Sequence, residues 1–422
     1  MASHQSVRRR VPSSALPALC CRAADVTPGP APAETSPVPA ETIRRTRLRR
    51  QQLRAPYAGS PGEVVRNLLA VQSQEFPYAR WTLSQRSSPS PASMVTASDV
   101  EQAVADGTIL RTHILRPTWH FVHRDDLGWL MGLSADRLHQ GNKGMYRQTG
   151  IDEDAAARSG QILAAAVADG AHKTREELAQ ILGQAGFPSK GLGFIYHLMH
   201  AEISRVLVSG SPIRSAGGAL KQTYALFEER VPGSFLTPPT PEDREQALGQ
   251  LALRYFSSRG PATVKDCAAC SGLTMKDVKR GIQISHDVSP GSLGALQLDG
   301  LEYYLAAEEV DTLASGDGPS MTEDPALPRI DLIQCYDEYV MGYSQSRHFL
   351  GGTAPYLPED NGPLHVVLLD GRLAGWWRHG FSGGACELDV RMNRPATVQE
   401  QAALQAEVDR YGRFLGMEVT LV

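Results

Sequence analysis

The strongest constraint on the fold is a short plan that recurs along the chain: capped helices followed directly by a hairpin. The clearest copy lies in residues 236–312. Thr240-Pro241 opens a helix with proline at the first helical position, where its missing N–H would have had no partner anyway. That helix carries Leu248, Leu251, Tyr255 and Phe256 as far as Gly260-Pro261. Thr263 opens a short helix and Thr274 a second one. Leu296 to Leu305 then reads as two strands folded at Asp299-Gly300, a pair that suits the positive φ angles of a tight hairpin turn. Two short helices and a two-stranded wing describe a winged helix. A generic helical domain with a hairpin is the alternative, and repetition of the plan weakens it.

Residues 141–235 repeat the plan. Thr174 to Glu177 is a capping box, Gly186-Phe187-Pro188 a turn, and a second helix carries Phe194, Ile195, Leu198 and Met199. Arg205 to Val208 and Thr223 to Phe227 supply the hairpin. In residues 42–140, Val64, Val65, Leu68 and Leu69 share one helical face. Ser98-Asp99-Val100-Glu101 is read as a capping box opening a helix that Gly107 ends, with strands at Ile109 to His113 and Thr118 to His123. Residues 313–422 differ. Leu364 to Trp377 forms a hairpin at Asp370-Gly371, Thr397 to Glu400 caps a helix stopping at Gly416, and Glu418 to Val422 is a last strand. Residues 1–41 are rich in proline and alanine without apolar periodicity, and are expected to be a disordered tail. Arg8-Arg9-Arg10 before Leu16 to Cys21 imitates a signal peptide, but Pro17 breaks the short apolar run. The expected fold class is α+β, with three tandem winged-helix units and a small C-terminal α+β domain.

Composition narrows the function. A chain of 422 residues is too long for one core. Its 42 Lys+Arg against 46 Asp+Glu exclude a globally basic nucleic-acid binder, so any DNA contact must use a local basic face. No apolar run nears the roughly 20 residues of a membrane helix. Six cysteines are too few for a disulfide scaffold and fit a cytoplasmic protein. Cys267 and Cys270 resemble half a zinc site, but no second pair stands at a matching distance. His120 and His123 lie three apart on a strand and point to opposite faces, so with His113 they suggest no metal. No glycine-rich phosphate loop, nucleophile elbow or His-Glu-x-x-His helix occurs.

Two features remain. Arg44, Arg45, Arg47, Arg49, Arg50 and Arg54 crowd one stretch, and Arg111 and Arg116 flank the strand pair. An arginine run is usually a solvated face, but beside winged helices it becomes a candidate phosphate contact. The segment Leu69 to Pro77 is the more unusual. It reads as an apolar helix running straight into Gln72, Gln74 and Glu75, with Pro77 ending it by pushing Phe76 out of helical geometry. Residues two apart share a face only on extended chain. Gln72 and Gln74 therefore converge only if the last turn unwinds; otherwise both amides merely satisfy helix-end carbonyls.

VVRNLLAVQSQ (Val64–Gln74), LRPTWHFV (Leu115–Val122), Arg254-Tyr255-Phe256, Gly260 to Thr263, DEYVMGYSQSR (Asp337–Arg347) and DGRLAGWWR (Asp370–Arg378), in this order and spacing, resemble the winged-helix bacterial DNA glycosylases of the AlkZ/AlkX (YcaQ) type. The resemblance spans about residues 42–422. It implies a C-shaped arrangement of three winged helices embracing duplex DNA, and removal of guanines alkylated at nitrogen-7, crosslinked ones included. Several members protect antibiotic producers from their own DNA-alkylating products. Gln72 and Gln74 match the catalytic Gln-x-Gln of the AlkZ-like branch, where the AlkX-like branch has aspartate second. The middle residue, usually aliphatic, is here Ser73.

The expectations are then specific. Gln72 and Gln74 are catalytic, Glu75 and His120 are supporting candidates, and Arg111, Arg116, Thr118, Trp119, Arg347 and Arg378 contact DNA. The protein is expected to be a monofunctional DNA glycosylase, a nucleoid-associated cytoplasmic monomer acting on double-stranded DNA containing alkylated guanine. It is expected to need no metal, cofactor, membrane or obligate protein partner. The alternatives are a non-catalytic winged-helix DNA-binding regulator and a scaffold whose winged helices bind protein.

Overall fold

The structure is a computed structural model describing residues 38–55, 57–88, 93–215, 220–231, 240–314, 328–352, 365–382 and 384–422. The expected tail lies almost wholly outside these. Helix α1 (Ala40–Arg50) comes first. The first unit follows as α2 (Pro61–Asn67), β1 (Ala70–Gln72), α3 (Phe76–Gln85), α4 (Ala97–Ala105), β2 (Ile109–His113) and β3 (Trp119–His123). Its antiparallel strands run in the order β1-β3-β2, over a core that includes Val64, Val65, Leu68, Val71, Leu83, Val100 and Phe121.

The long α5 (Arg124–Thr149) leads to the second unit: α6 (Glu153–Ala166), β4 (Lys173–Thr174), α7 (Arg175–Gln184), α8 (Gly191–Ile203), β5 (Leu207–Ser209), the small β6 (Ile213–Arg214) and β7 (Leu220–Lys221), β8 (Thr223–Leu226) and α9 (Phe227–Arg230). Here the sheet order is β4-β8-β5. The third unit is α10 (Pro241–Arg259), α11 (Val264–Ser271), α12 (Met275–Val288), β9 (Leu293–Leu298) and β10 (Leu301–Ala306), with a single bridge from Ala262 to Tyr304 in place of the first strand. Each unit thus runs helix, strand or bridge, two helices and hairpin, its first extended segment paired with its last strand. In α12, a side chain at Gly281 would collide with the carbonyl of Leu248, so α10 and α12 cross at backbone contact.

The remainder comprises α13 (Val310–Ala314), β11 (Ile330–Ile333), α14 (Glu338–Met341), β12 (His365–Leu369), β13 (Arg372–Ser382), β14 (Ala385–Met392), α15 (Val398–Leu415) and β15 (Val419–Leu421). The five strands form one sheet in chain order, antiparallel except for the last pair. Helix α15 covers it through Val408, Tyr411 and Phe414, against Trp377 and, from the first unit, Trp81. Both hairpin turns have the expected left-handed residues, Asp299 and Gly300 at φ 50° and 72°, Asp370 and Gly371 at 51° and 76°. The Thr174, Thr240, Thr263, Thr274 and Thr397 caps all form.

Four expectations need correction. The cap of α4 is Thr96, whose hydroxyl accepts the Asp99 N–H while Asp99 bonds back; Ser98 is already inside the helix. The helix carrying Val64 and Leu68 stops at Asn67, and Leu69 turns the chain with a φ of 63° so that Ala70 to Gln72 is a strand. Pro77 consequently starts α3 instead of ending a helix, a position its fixed φ suits.

Most of the arginines clustered in and just after α1, finally, are staples within the protein, whereas Arg45 is exposed and pairs with Glu41 of its own helix. Arg47 is buried and donates to the Pro261 carbonyl at 2.7 and 3.0 Å and to Ser346; Arg54 grips Asp331 at 2.9 and 3.0 Å; Arg50 reaches Ser257 and Glu308. A buried guanidinium must satisfy its donors internally, and these pin α1 to the third unit and the C-terminal sheet. Cys267 and Cys270 pack in the third unit's core. Among the described residues no helix is long and apolar enough to cross a membrane, and no three His, Cys, Asp or Glu side chains cluster to hold a metal.

Candidate active site

The turn at Leu69 delivers Gln72 at the end of β1, and the chain bends at Gln74 two residues on, so neither glutamine is helical. In the first sheet Gln72 stands opposite His120, and His120 opposite Thr112, so these three side chains form one row across β1, β3 and β2.

The backbone of the segment is gripped from two sides. From the C-terminal domain, Glu338 Oε1 accepts the Gln72 N–H at 3.0 Å, and Gln334 Nε2 donates to the Gln72 carbonyl at 3.0 Å. From the first hairpin, the Trp119 carbonyl accepts the Ser73 N–H at 2.8 Å. Arg111 donates Nε and Nη2 to the Ser73 carbonyl at 3.0 and 2.7 Å and reaches the Gln74 carbonyl at 3.3 Å. The Gln74 side-chain oxygen accepts the Trp119 N–H at 3.3 Å. Rigid placement of a short polar segment is what positioning catalysis requires.

Around this segment buried polar atoms lack protein partners: Gln72 Oε1, Ser73 Oγ, Thr112 Oγ1, Thr118 Oγ1, Gln334 Oε1 and Arg116 Nε. Folded proteins pair nearly all such groups, and each orphan costs about 1–3 kcal/mol. Beside Gln72 they leave donors and acceptors that a water or a ligand could satisfy.

The electrostatics separate the candidates. His120 is fully buried, and burial followed by the Arg116 charge lowers its pKa to about 3, leaving it neutral at physiological pH. Its Nδ1 lies 2.9 Å from the Thr118 carbonyl and its Nε2 3.4 Å from Arg116 Nη2, which assigns the proton to Nδ1. Burial pushes the Glu338 carboxyl up, but the Arg259 and Arg116 charges pull it below its ordinary value on balance, so it is ionised. Arg116, His120, Arg259 and Glu338 line a small cavity with Leu69, Leu115 and Tyr255.

Other predicted residues are placed differently. Glu75 caps no helix N–H; its carboxylate lies 3.3 Å from His365 Nε2, away from the two amides. Arg111, expected to touch phosphate, is buried and turned inward onto the Ser73 and Gln74 carbonyls. Trp119 likewise donates its indole N–H to Glu202 at 3.2 and 3.3 Å, while the Arg111 guanidinium sits 4.4 Å from its ring centre. Its indole N–H and one ring face are thus occupied by its own protein, while the residue stays partly exposed. Thr118 and Arg116 are half-buried at the mouth of the hairpin. Arg347 is exposed, with its Nε on the Tyr343 carbonyl. Arg378 lies over Trp376, 3.5 Å from Asp389. Neither is tied to the glutamine segment.

Sequence reasoning missed Gln334, Glu338, Arg259 and Glu202. Glu338 lay inside the Asp337–Arg347 segment that carried the family resemblance, but nothing in that segment marked it as a partner of Gln72.

No curated protein matches the chain. The solved structure of the Streptomyces sahachiroi DNA glycosylase AlkZ has a similar fold, with a TM-score of 0.62 and 20% identity over 91% of this chain and 99% of that one. The sequence model of the AlkZ-like DNA glycosylases matches residues 65–414, which include both glutamines and their partners, and the chain therefore belongs to the AlkZ-like DNA glycosylase family.

Proposed function

We propose that the protein is a monofunctional glycosylase that hydrolyses the N-glycosidic bond of guanines alkylated at nitrogen-7, including bulky and interstrand-crosslinked adducts. In this reading its three repeated units are winged helices curved around duplex DNA, and it acts as a monomer. The observation that carries it is the unpartnered, buried side-chain oxygen of Gln72, on backbone held at the Gln72 N–H and carbonyl and at the Ser73 carbonyl.

The chemistry fits amides. Alkylation at nitrogen-7 makes the base cationic, so the bond from the sugar's anomeric carbon to nitrogen-9 breaks with its electron pair moving onto the base, which leaves neutral. No general acid is needed, in keeping with a His120 that carries no transferable extra proton near pH 7. What remains is to place a water at the anomeric carbon and stabilise the positive charge developing there. Amide oxygens accept the water's hydrogens and orient it without acting as bases. Preorganised dipoles then lower the barrier. Arg116, Arg347 and Arg378 remain the proposed phosphate contacts.

The test is to incubate the protein with a duplex carrying one nitrogen-7-alkylguanine and with a nitrogen-7-linked crosslink, then reveal abasic sites by alkali. Strand breaks at the guanine in both are expected. Tight DNA binding without breaks in either would favour a regulator instead.

A further inference from the structure

We propose that Glu338 is a positioning residue for base excision, acting through the Gln72 N–H; this rests on the glycosylase reading above. Strand β1 pairs with β3 on one side only, so its other edge presents unpaired backbone groups. Among the described residues no strand covers that edge. Three side chains do, each taking the place of a strand's peptide group. Arg259 Nη2 donates to the Leu68 and Ala70 carbonyls at 2.8 and 3.3 Å, Gln334 Nε2 donates to the Gln72 carbonyl, and Glu338 Oε1 accepts the Gln72 N–H. The edge is thus completed residue by residue from the Leu69 bend to the catalytic glutamine.

Within this set Glu338 divides its two oxygens. Oε2 takes Arg259 at 2.8 Å and the Cys270 thiol, while Oε1 is left for Gln72. Both side chains of the ion pair are almost wholly buried, at 2% and 1% exposure. A buried ion pair is seldom more stabilising than apolar residues of the same volume, so stability alone does not account for it. What the contact with Arg259 does supply is a fixed position, and it leaves Oε1 on the one N–H whose direction sets where the Gln72 side chain leaves the strand. The carboxylate meets no substrate atom in this account; it acts through Gln72.

Two conservative substitutions separate reach from charge. Glu338→Gln keeps the length and an oxygen for the Gln72 N–H but loses the charge. Glu338→Asp keeps the charge for Arg259 but draws it back by one carbon. Single-turnover excision, DNA affinity and melting temperature would be measured on the full chain with both variants, with Gln72→Ala, and with Gln72→Ala combined with Glu338→Asp. Expected are a loss of about 10²-fold for Glu338→Asp, as for an ångström of misplacement, and a much smaller loss for Glu338→Gln, with DNA affinity unchanged in both. The double variant should be no slower than Gln72→Ala, because Glu338 has nothing left to position.

Wild-type rates in Glu338→Asp, or losses that multiply in the double variant, would overturn the proposal. So would a faster Glu338→Asp than Glu338→Gln, the order expected of a purely structural charge pair. Absence of excision by the unaltered protein would instead remove the glycosylase reading, and this inference with it.

Discussion

One guanidinium and one carbonyl define the inner wall of the site: Arg111 donates both Nε and Nη2 to the backbone oxygen of Ser73, at 3.0 and 2.7 Å. The arginine is buried, and burial brings its pKa down to about 10, which still leaves it charged at neutral pH. A cation fixed on that carbonyl holds the residue between the two glutamines, while the Gln72 side-chain oxygen has no protein partner and that of Gln74 takes the Trp119 N–H. Ser73 is smaller than the aliphatic residue usual at this place, and its hydroxyl has no partner. The clamp on its backbone supplies the order that its side chain does not.

Arg111→Lys should therefore impair chemistry and spare binding. One ammonium keeps the charge but not the fork that spans the Ser73 and Gln74 carbonyls. Excision is expected to fall about 10- to 10²-fold, with the salt dependence of DNA affinity unchanged. A salt slope shallower by about one unit would mean that Arg111 contacts a phosphate after all.

For Arg116 the expectation is reversed. It sits half-buried at the mouth of the hairpin, and Arg116→Ala should weaken DNA binding and make its salt dependence shallower by about one unit. Titrations at several salt concentrations decide it, an unchanged slope counting against a phosphate contact.

Arg86 and Asp337 form a bidentate pair at 2.6 and 3.0 Å with both side chains fully buried. Arg86→Met leaves the carboxylate buried and unpaired, which should cost about 3–5 kcal/mol of stability. Urea unfolding measures this directly. A midpoint shift worth less than about 1 kcal/mol would contradict the burial described here.

Acid should destabilise the protein through its buried histidines. His120 has a folded pKa of about 3 against about 6.5 when unfolded, so between these values the unfolded chain binds the proton and the folded one does not. Its stabilising contribution is complete above about pH 6.5 and is lost as pH falls toward 3, by up to about 1.4 kcal/mol per pH unit. His200 and His379, held down to about 4 and 3 mainly by burial, act in the same direction. The melting temperature should drop between pH 7 and pH 5, and drop less in His120→Gln. An equal drop in both would show that His120 titrates normally in the folded protein.

Local signals in the sequence were legible where one residue decides the geometry. The Asp299-Gly300 and Asp370-Gly371 turns, the threonine caps and the strand at 109–113 formed as read, and the strand read from Thr118 to His123 starts one residue later, at Trp119. Two errors came from competing local rules. Thr96 and Ser98 both qualify as caps, and only tertiary placement selects Thr96. Leu69 looks helical by its apolar period, and nothing local announces a left-handed leucine. Most of the α1 arginines, and Arg111, failed for a different reason. Charge alone cannot tell a guanidinium facing phosphate from one facing a carbonyl more than 200 residues away, as Arg47 does at Pro261.

The same holds for the site. Gln72 and Gln74 were visible as an odd polar interruption, but their supports were not. Glu338 and Gln334 lie more than 260 residues downstream, and only the folded edge of β1 brings them together.

The central claim is that Gln72 and Gln74 place the water that cleaves the glycosidic bond, and the single-turnover rate of base release from a nitrogen-7-alkylguanine duplex tests it most directly. Gln72→Ala and Gln74→Ala are each predicted to release the base about 10²–10³-fold more slowly than the unaltered protein, the loss seen when one preorganised polar contact is removed from a transition state, while binding the same duplex equally well. Release at the unaltered rate in both variants would contradict the account.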